Sequence, residues 1–151
     1  MQLHFIEHEI HLAESGQKGR IILKMNALQD SAMIDKLYEA SSRGVEIDLI
    51  VRGICCLIPG QPYSKNIKIT RIVDSFLEHA RIWYFGNNNS PKVFLGSPDW
   101  MRRNLYRRIE AVTPVLDIDL RNEIINLLNI QLNDNQKACF VDENLKNVFK
   151  N

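Results

Sequence analysis

The hydrophobic positions in the first third of the chain predict a strand–helix–strand unit. Two short apolar runs, residues 20–25 (RIILKM) and 45–51 (VEIDLIV), have the length and the β-branched content of buried strands. Between them, a helix is predicted from Asp30 or Ser31 to the residue before Gly44. Its apolar face comprises Met33, Ile34, Leu37, Tyr38 and Ser41. The short turns make this a βαβ unit, so the two strands are predicted to be parallel.

The rest of the chain predicts further elements around this unit. Ile69, Ile72, Val73 and Phe76 recur at helical spacing and favour a helix over residues 67–78. The other predicted elements are the tail of a helix over 5–15, a hairpin of strands 81–85 and 92–96, a strand at 109–116, a helix over 117–132 and an edge strand at 137–142 followed by a short turn. The face of the 117–132 helix is formed by Leu120, Ile124, Leu127, Leu128 and Leu132. Together they predict a single α/β domain with a mixed β-sheet flanked by helices.

Length and composition exclude several classes of protein. At 151 residues the chain has the length of one domain with a sizeable core. No apolar run approaches the roughly 18 residues of a membrane span. Glu7, His8 and Glu9 interrupt any signal-peptide pattern. Three cysteines form no disulfide framework, and without a secretory signal they predict a reducing cytoplasm.

The net charge of +1 conceals a basic segment. Residues 52–108 contain ten Lys or Arg against three acids, whereas the rest of the chain contains nine against fifteen. Such a concentration of positive charge favours a local anionic partner. The cations are not interleaved with aromatic residues, as they are in single-stranded nucleic-acid sites, so we predict a phosphate ligand rather than nucleic acid.

His79 is the centre of the candidate chemistry. It precedes Arg81 by two residues at the start of one hairpin strand, and the sequence GSPD (96–99) follows the partner strand. An imidazole, a cation and a Gly-Ser turn are therefore predicted at one edge of the sheet. Phosphoryl transfer uses such a set, because the imidazole acts as nucleophile or acid/base while cations and turn donors bind phosphate oxygens.

The pattern resembles the phospholipase D superfamily motif, in which His-x-Lys is followed by an Asp and then by Gly-Ser-x-Asn. It departs from that motif in three respects. Arg81 replaces the lysine, the acid after His79 is missing, and Asp99 follows the Gly-Ser pair. On its own, a histidine at the end of an apolar helix is more often structural.

The context of His79 carries a more specific resemblance. The segments concerned are KMNALQD (24–30), LYEASSRGVEIDLIVRGICCLIPG (37–60), FLEHARIWYF (76–85) and LGSPDWMRRNLYRRIEAVTPVLD (95–117). Their ordered set, from IVRG through LEH and SPDWM-R-N to RRIE, resembles the C-terminal catalytic region of the bacterial polyphosphate kinases. The resemblance extends from about residue 9 to residue 149. It implies that residues 1–151 form a C-terminal, phospholipase-D-like catalytic domain truncated from a longer chain.

The resemblance also implies that the chain supplies half an active site. The family has four domains, and its last two are phospholipase-D-like and face each other across an ATP-binding tunnel. By position, Arg52 in IVRG resembles the arginine that binds the nucleotide phosphates. His79 in LEH resembles the second active-site histidine. The histidine that is phosphorylated in the family belongs to the preceding domain, in an H-x-K motif that this sequence lacks.

Further residues are candidates for binding phosphate or nucleotide. Lys24 and Asn26 end the first predicted strand beside the expected end of the second at Arg52, which makes them candidate contacts to phosphate or to Mg²⁺-bound water. The remaining candidates are Arg81, Ser97, Asp99, Arg102 and Asn104. Alternate side chains point to opposite sides of a chain, so two of Arg102, Arg103, Arg107 and Arg108 are expected at the site.

The leading prediction is a cytoplasmic ATP:polyphosphate phosphotransferase domain, with attachment to the membrane surface left open. By resemblance, it transfers the γ-phosphate of ATP reversibly to the end of inorganic polyphosphate, with Mg²⁺. Its expected partners are ATP or ADP, polyphosphate, the preceding domains of the parent enzyme and a second copy in a homo-oligomer, but neither nucleic acid nor a membrane span. Two alternatives stay open: a phosphodiesterase or nuclease of the phospholipase D superfamily, and a module that binds nucleotide or polyphosphate without catalysis.

Three other groups of residues favour structural roles. His4, His8 and His11 share a helix face at a spacing suited to Zn²⁺, but no nearby acid or cysteine completes an obvious site, so no metal site is predicted. Cys55 and Cys56 precede a Pro-Gly loop and favour packing over a redox role. Trp83 lies in an apolar strand and is predicted to belong to the core.

Overall fold

A computed structural model describes residues 2–72, 81–96, 112–134 and 138–150. Within these ranges the helices are α1 (Gln2–Glu14), α2 (Ser31–Ser42) and α3 (Ile118–Leu132), and a 3₁₀ turn spans Pro62–Ser64. The strands are β1 (Arg20–Met25), β2 (Glu46–Val51), β3 (Ile67–Ile72), β4 (Arg81–Phe85), β5 (Lys92–Gly96), β6 (Val112–Pro114), β7 (Ala138–Val141) and β8 (Asn147–Phe149).

The described strands form one mixed sheet in the order β6-β5-β4-β1-β2-β3-β7-β8. β1, β2 and β3 are parallel to one another, and the remaining neighbours pair antiparallel. The predicted parallel βαβ unit and the β4–β5 hairpin are confirmed. The α2 helix begins at its cap Asp30, whose carboxylate accepts the Met33 N–H at 2.9 Å. It ends before Gly44, which has a φ of +95°.

Helices cover both faces of the sheet and create two apolar layers. On one face, α1 and α2 pack on the odd-numbered side chains of β1 and β2, such as Leu23 and Leu49. On the other, α3 packs on Ile22, Ile50 and Ile82 through Ile124 and Leu128. Trp83 is 2% exposed in the first layer, which confirms its place in the core.

Three predicted elements were wrong in detail. Residues 67–72 form a strand rather than the start of a helix, because their β-branched side chains continue the parallel sheet beside β2. β7 is not an edge strand, because the tail returns as β8 and pairs outside it. The predicted face of α3 is only partly buried, since Leu120 and Leu127 are 47% and 38% exposed.

Candidate phosphate-binding site

The candidate site lies at the edge of the sheet where the three parallel strands end. Lys24 and Asn26 lie at the end of β1, and Arg52 directly follows β2. β4 runs in the opposite direction and pairs Ile82 with Lys24, so Arg81 begins its strand at the same edge. Ligands of open α/β sheets gather outside the carboxyl ends of the parallel strands. The fold thus places four residues predicted from sequence at this edge of the sheet.

Backbone hydrogen bonds continue beyond β1 and β2 and join the two loops that follow them. The Arg52 N–H donates to the Met25 carbonyl at 3.3 Å, and the Gly53 N–H donates to the Asn26 carbonyl at 2.8 Å. Leu28 and the 54–56 segment then exchange two further bonds, Leu28 N–H to the Ile54 carbonyl and Cys56 N–H to the Leu28 carbonyl, each at 2.9 Å. The backbone that carries Arg52 is therefore held against the backbone that carries Asn26.

Gly53 permits this close approach. A Cβ placed on Gly53 would lie 2.8 Å from the Asn26 carbonyl oxygen, which is closer than side chains tolerate. The glycine is needed here for space between two backbones, since its φ is not in the left-handed region.

Arg71, near the end of β3, contacts the same loop. Its Nη2 donates to the Gly53 carbonyl at 3.0 Å, and its Nη1 donates to Asn147 Oδ1 at 3.0 Å. The peptide groups on either side of Gly53 are thereby held by two neighbours, one by Asn26 through the Gly53 N–H and the other by Arg71 through the Gly53 carbonyl. Sequence reasoning missed Arg71, because residues 67–78 were interpreted as a helix.

Lys24 is a buried cation at this edge. It is 6% exposed, and the alternation of β1 places its side chain on the face that carries Ile22. Lysine is rarely buried to this extent unless its charge is matched. The Lys24 side chain therefore lies within the fold at the strand ends rather than in solvent.

The other predicted site residues lie outside the described part of the chain. They are His79, Ser97, Asp99, Arg102 and Asn104, together with Arg103, Arg107 and Arg108. The described residues that flank them are nevertheless at the candidate edge. Ile72 ends β3, Arg81 pairs with Gly96 at the end of β5, and Val112 pairs with Gly96 at the start of β6.

The described cations of the basic segment 52–108 separate by residue type. The arginines, Arg52, Arg71 and Arg81, lie at the candidate edge. The lysines lie toward the opposite edge: Lys65 precedes β3, Lys68 pairs with Asp48 near the start of β2, and Lys92 pairs with Phe85 at the end of β4. Planar guanidinium groups bind phosphate oxygens in pairs, so this separation places the better phosphate ligands at the candidate edge.

His8, His11 and Cys55 have structural contacts. His8 Nε2 is 2.8 Å from Asn87 Oδ1, and His11 Nε2 is 3.6 Å from Glu7 Oε1. Within the described ranges, no cluster of three His, Cys, Asp or Glu residues could hold a metal ion. Burial raises the pKa of the Cys55 thiol, which opposes a reactive thiolate and agrees with packing. Cys56 is exposed, so the packing predicted for it was wrong.

Comparison with known proteins identifies the relatives of this fold and sequence. Residues 2–151 match the family model described as Polyphosphate kinase C-terminal domain 2. The chain is 52% identical over 137 residues to a polyphosphate kinase of Thermosynechococcus vestitus, covering 90% of this chain and 19% of that protein. The crystal structure of a polyphosphate kinase from Porphyromonas gingivalis is 57% identical, with a TM-score of 0.96 over 97% of this chain and 23% of that one.

A more distant structure shares the fold alone. The phospholipase D family member Nuc from Salmonella typhimurium is 13% identical, with a TM-score of 0.61 over 94% of this chain and 89% of that one. The predicted phospholipase-D-like α/β fold is thereby confirmed. The chain spans about a fifth of the length of the curated relatives it matches. In the part of the chain that the structure describes, no helix has the length and apolar character of a membrane span.

Proposed function

The chain belongs to the polyphosphate kinase family through its C-terminal domain 2, and on that premise we propose that it supplies the second half of a kinase active site. The reaction is the reversible transfer of the γ-phosphate of ATP to the end of inorganic polyphosphate. In this proposal residues 1–151 are the C-terminal catalytic domain of a longer enzyme. The preceding domains supply the rest of the nucleotide site and the phosphorylated histidine.

One observation supports the proposal: Arg52 follows β2 next to the end of β1, which carries Lys24 and Asn26, and Arg81 begins β4 at the same carboxyl edge on the other side of β1. A phosphate chain presents many closely spaced negative charges, and an edge with fixed cations complements them. The backbone bonds at Arg52 and Gly53 fix the position from which the Arg52 side chain extends. Positioning of this kind supports phosphoryl transfer, in which the protein contributes mainly orientation and electrostatic stabilisation.

Each candidate residue has a proposed part in the reaction. Arg52 and Arg81 hold nucleotide or polyphosphate oxygens, and Lys24 and Asn26 contact the phosphates from the end of β1. His79, two residues before Arg81, acts as an acid/base or as an electrostatic partner to the phosphohistidine of the neighbouring domain. Four further residues follow Gly96, the partner of Arg81, and are proposed to complete the phosphate site: Ser97, Asp99, Arg102 and Asn104.

Mg²⁺ enters the proposal with ATP, as part of the substrate. The described residues at the edge offer one amide side chain, that of Asn26, and no carboxylate cluster that would bind a hard cation. No ligand for the ion is therefore assigned within the described residues. The positive charge of Arg52, Arg81 and Lys24 acts on phosphate directly.

The parent enzyme is proposed to work in the cytoplasm as a homo-oligomer, with ATP or ADP and polyphosphate as its partners. The fold shared with the phospholipase D family member also leaves a phosphodiesterase or nuclease as the alternative, although a likeness at 13% identity concerns the fold alone. The two functions differ in the bond that is broken. The kinase breaks the phosphoanhydride bond to the γ-phosphate of ATP, whereas the alternative hydrolyses a phosphodiester bond.

The test compares two histidines in the enzyme that carries this domain. His79→Ala is expected to reduce transfer from ATP to polyphosphate by at least about 100-fold, the scale typical of a lost acid/base group. His11→Ala, on the exposed side of α1, is the matched control and should leave transfer unchanged. Normal transfer by the His79 variant removes that residue from the mechanism. Hydrolysis of a chromogenic phosphodiester, without transfer from ATP, would instead support the nuclease alternative.

A further inference from the structure

Arg71 joins three parts of the chain, one of which carries Arg52 at the candidate edge. Its strand, β3, is the neighbour of β2, and its guanidinium donates to the Gly53 carbonyl in the loop after β2. The same guanidinium donates to Asn147, the first residue of β8. One planar group therefore connects the loop that carries Arg52 with the C-terminal hairpin.

The C-terminal hairpin, β7 and β8 with their turn, lies against this loop at a second point. A Cβ placed on Gly60 would lie 3.0 Å from Glu143 Oε2 and 3.1 Å from Glu143 Cβ, so the distal part of the loop packs closely on the hairpin turn. β7 is itself paired with β3, at Arg71↔Cys139. The loop after β2 is thus supported from one side by the residues that follow β1 and from the other by β3 and the hairpin.

Both oxygens that Arg71 contacts are neutral, one a carbonyl and the other a side-chain amide. A surface ion pair would serve equally well to fix β3, but it would not orient the peptide group after Gly53. The donors of a guanidinium group lie in one fixed plane. The two oxygens that accept from Arg71 therefore have fixed positions relative to each other. The acceptor that matters for the site is the Gly53 carbonyl, one residue beyond Arg52.

We propose that Arg71 is a positioning residue, which orients the loop after β2 so that Arg52 is held in place to bind phosphate. This inference rests on the proposed role of Arg52 in phosphate binding. Arg71 touches no substrate in this arrangement and acts through the Gly53 peptide. Asn147 is the outer support of the guanidinium, so the C-terminal hairpin contributes to the site without supplying a ligand.

A double-mutant cycle with polyphosphate of fixed chain length as the probe tests the inference. The Kd is measured for the unmodified chain and for Arg52→Ala, Arg71→Ala and the double variant, and the melting temperature is measured for each. Arg71→Ala is expected to weaken binding about tenfold in the unmodified background, the scale of one hydrogen bond from a charged group. In the Arg52→Ala background it should change the Kd less than about twofold, because its effect passes through Arg52.

The melting temperature separates positioning from general stability. Arg71→Ala should lower it by the same amount in both backgrounds, whereas only the Kd should depend on Arg52. Asn147→Ala provides a milder variant that keeps the bond to Gly53. It should weaken binding less than Arg71→Ala and show the same dependence on Arg52. Arg71→Lys should restore binding only in part, since an ammonium lacks the planar fork.

Three other outcomes would reject either the positioning role of Arg71 or the phosphate site at Arg52. An equal loss of binding on Arg71→Ala in both backgrounds would mean that Arg71 binds phosphate independently, and the positioning role would be rejected. A loss with Arg52→Ala but none with Arg71→Ala or Asn147→Ala would reject the inference and leave the proposed function standing. Unchanged binding by Arg52→Ala would instead reject the proposed site itself.

Discussion

The N–H of Gly53 lies 2.8 Å from the carbonyl oxygen of Asn26, and this bond holds together the loops that follow the two central parallel strands. Arg52 and Asn26 are therefore fixed relative to each other through the backbone. The end of β1 and the end of β2 therefore each place a polar side chain, Asn26 and Arg52, at the candidate edge of the sheet.

Substitution of Gly53 should disturb this edge. In Gly53→Ala the new Cβ would lie 2.8 Å from the Asn26 carbonyl oxygen, so one of the two loops must move. We expect a loss of about 1–3 kcal/mol in the free energy of unfolding, as for other overpacked positions. We also expect weaker polyphosphate binding, and both quantities can be measured by denaturant titration and calorimetric titration of one preparation.

Gly16→Ala is the control for the Gly53 variant. Gly16 has a φ of +81° and no atom within 4 Å of an added Cβ, so alanine there is strained but meets nothing. It should cost about 1 kcal/mol of stability. Phosphate binding should be unchanged, because Gly16 follows α1 near the opposite edge of the sheet. Equal loss of binding in the two variants would show that the effect of Gly53 is one of stability alone.

Glu9 is a fully buried carboxyl group on α1 that holds the amino edge of the sheet. It accepts the N–H groups of Arg20 at 3.1 Å and of Asn87 at 3.1 and 3.2 Å, and thus joins α1 to β1 and to the turn after β4. Glu9→Ala would leave these N–H groups without an acceptor. We expect a loss of about 1–3 kcal/mol in the free energy of unfolding, measured by denaturant titration.

The charge of Glu9 should also make stability depend on pH. Burial raises its pKa above the ordinary value of 4.5, and the N–H donors of Arg20 and Asn87 oppose that shift only in part. The folded state then binds the Glu9 proton more tightly than the unfolded state. The contribution of this group to stability is complete below pH 4.5 and is lost as the pH rises through the folded pKa. Glu9→Gln should remove this loss, so a variant with an unchanged pH profile would contradict the assignment.

Two adjacent leucines on α3 test how that helix packs. Leu128 is fully buried between α3 and the sheet, whereas Leu127 is 38% exposed. Leu128→Ala is expected to cost about 2–5 kcal/mol and Leu127→Ala less than about 1 kcal/mol. The two changes share the same helix propensity, so the difference in unfolding free energy reports burial alone. Equal losses would mean that the predicted face of Leu120, Ile124, Leu127, Leu128 and Leu132 is buried as a whole.

The part of the site formed by β1 and β2 was predictable from sequence. The short, β-branched runs at 20–25 and 45–51 favoured buried strands on either side of a helix, and the ends of parallel strands meet at one edge. This placed Lys24 and Asn26 beside Arg52, as the structure confirms. The hairpin then brought Arg81 to the same edge, because β4 is antiparallel to β1.

The contribution of β3 was not predictable from the same reasoning. Ile69, Ile72, Val73 and Phe76 satisfy a helical period, but the β-branched content of residues 67–72 fits a strand equally well. Only the pairing with β2 decides between them, and that pairing depends on residues distant in sequence. The contact of Arg71 with Gly53 could not be found before this strand was placed. Similarly, Leu120 and Leu127 match the apolar face of α3 in period, yet the sheet beneath α3 covers only part of that face.

In the proposed function, the edge that carries Arg52 binds phosphate for the kinase reaction. The most direct measurement is kcat/KM for ATP in polyphosphate synthesis by the enzyme that carries this domain, with Arg52→Ala compared with Arg43→Ala. Arg43 caps α2 near the opposite edge of the sheet and pairs with Glu14, so its removal changes the net charge equally. Arg52→Ala is expected to lower kcat/KM by about 100-fold, because loss of a phosphate-binding arginine costs about 3 kcal/mol of transition-state stabilisation. Arg43→Ala should remain within about twofold of the unmodified enzyme. Equal values of kcat/KM for the Arg52 and Arg43 variants would contradict phosphate binding at this edge.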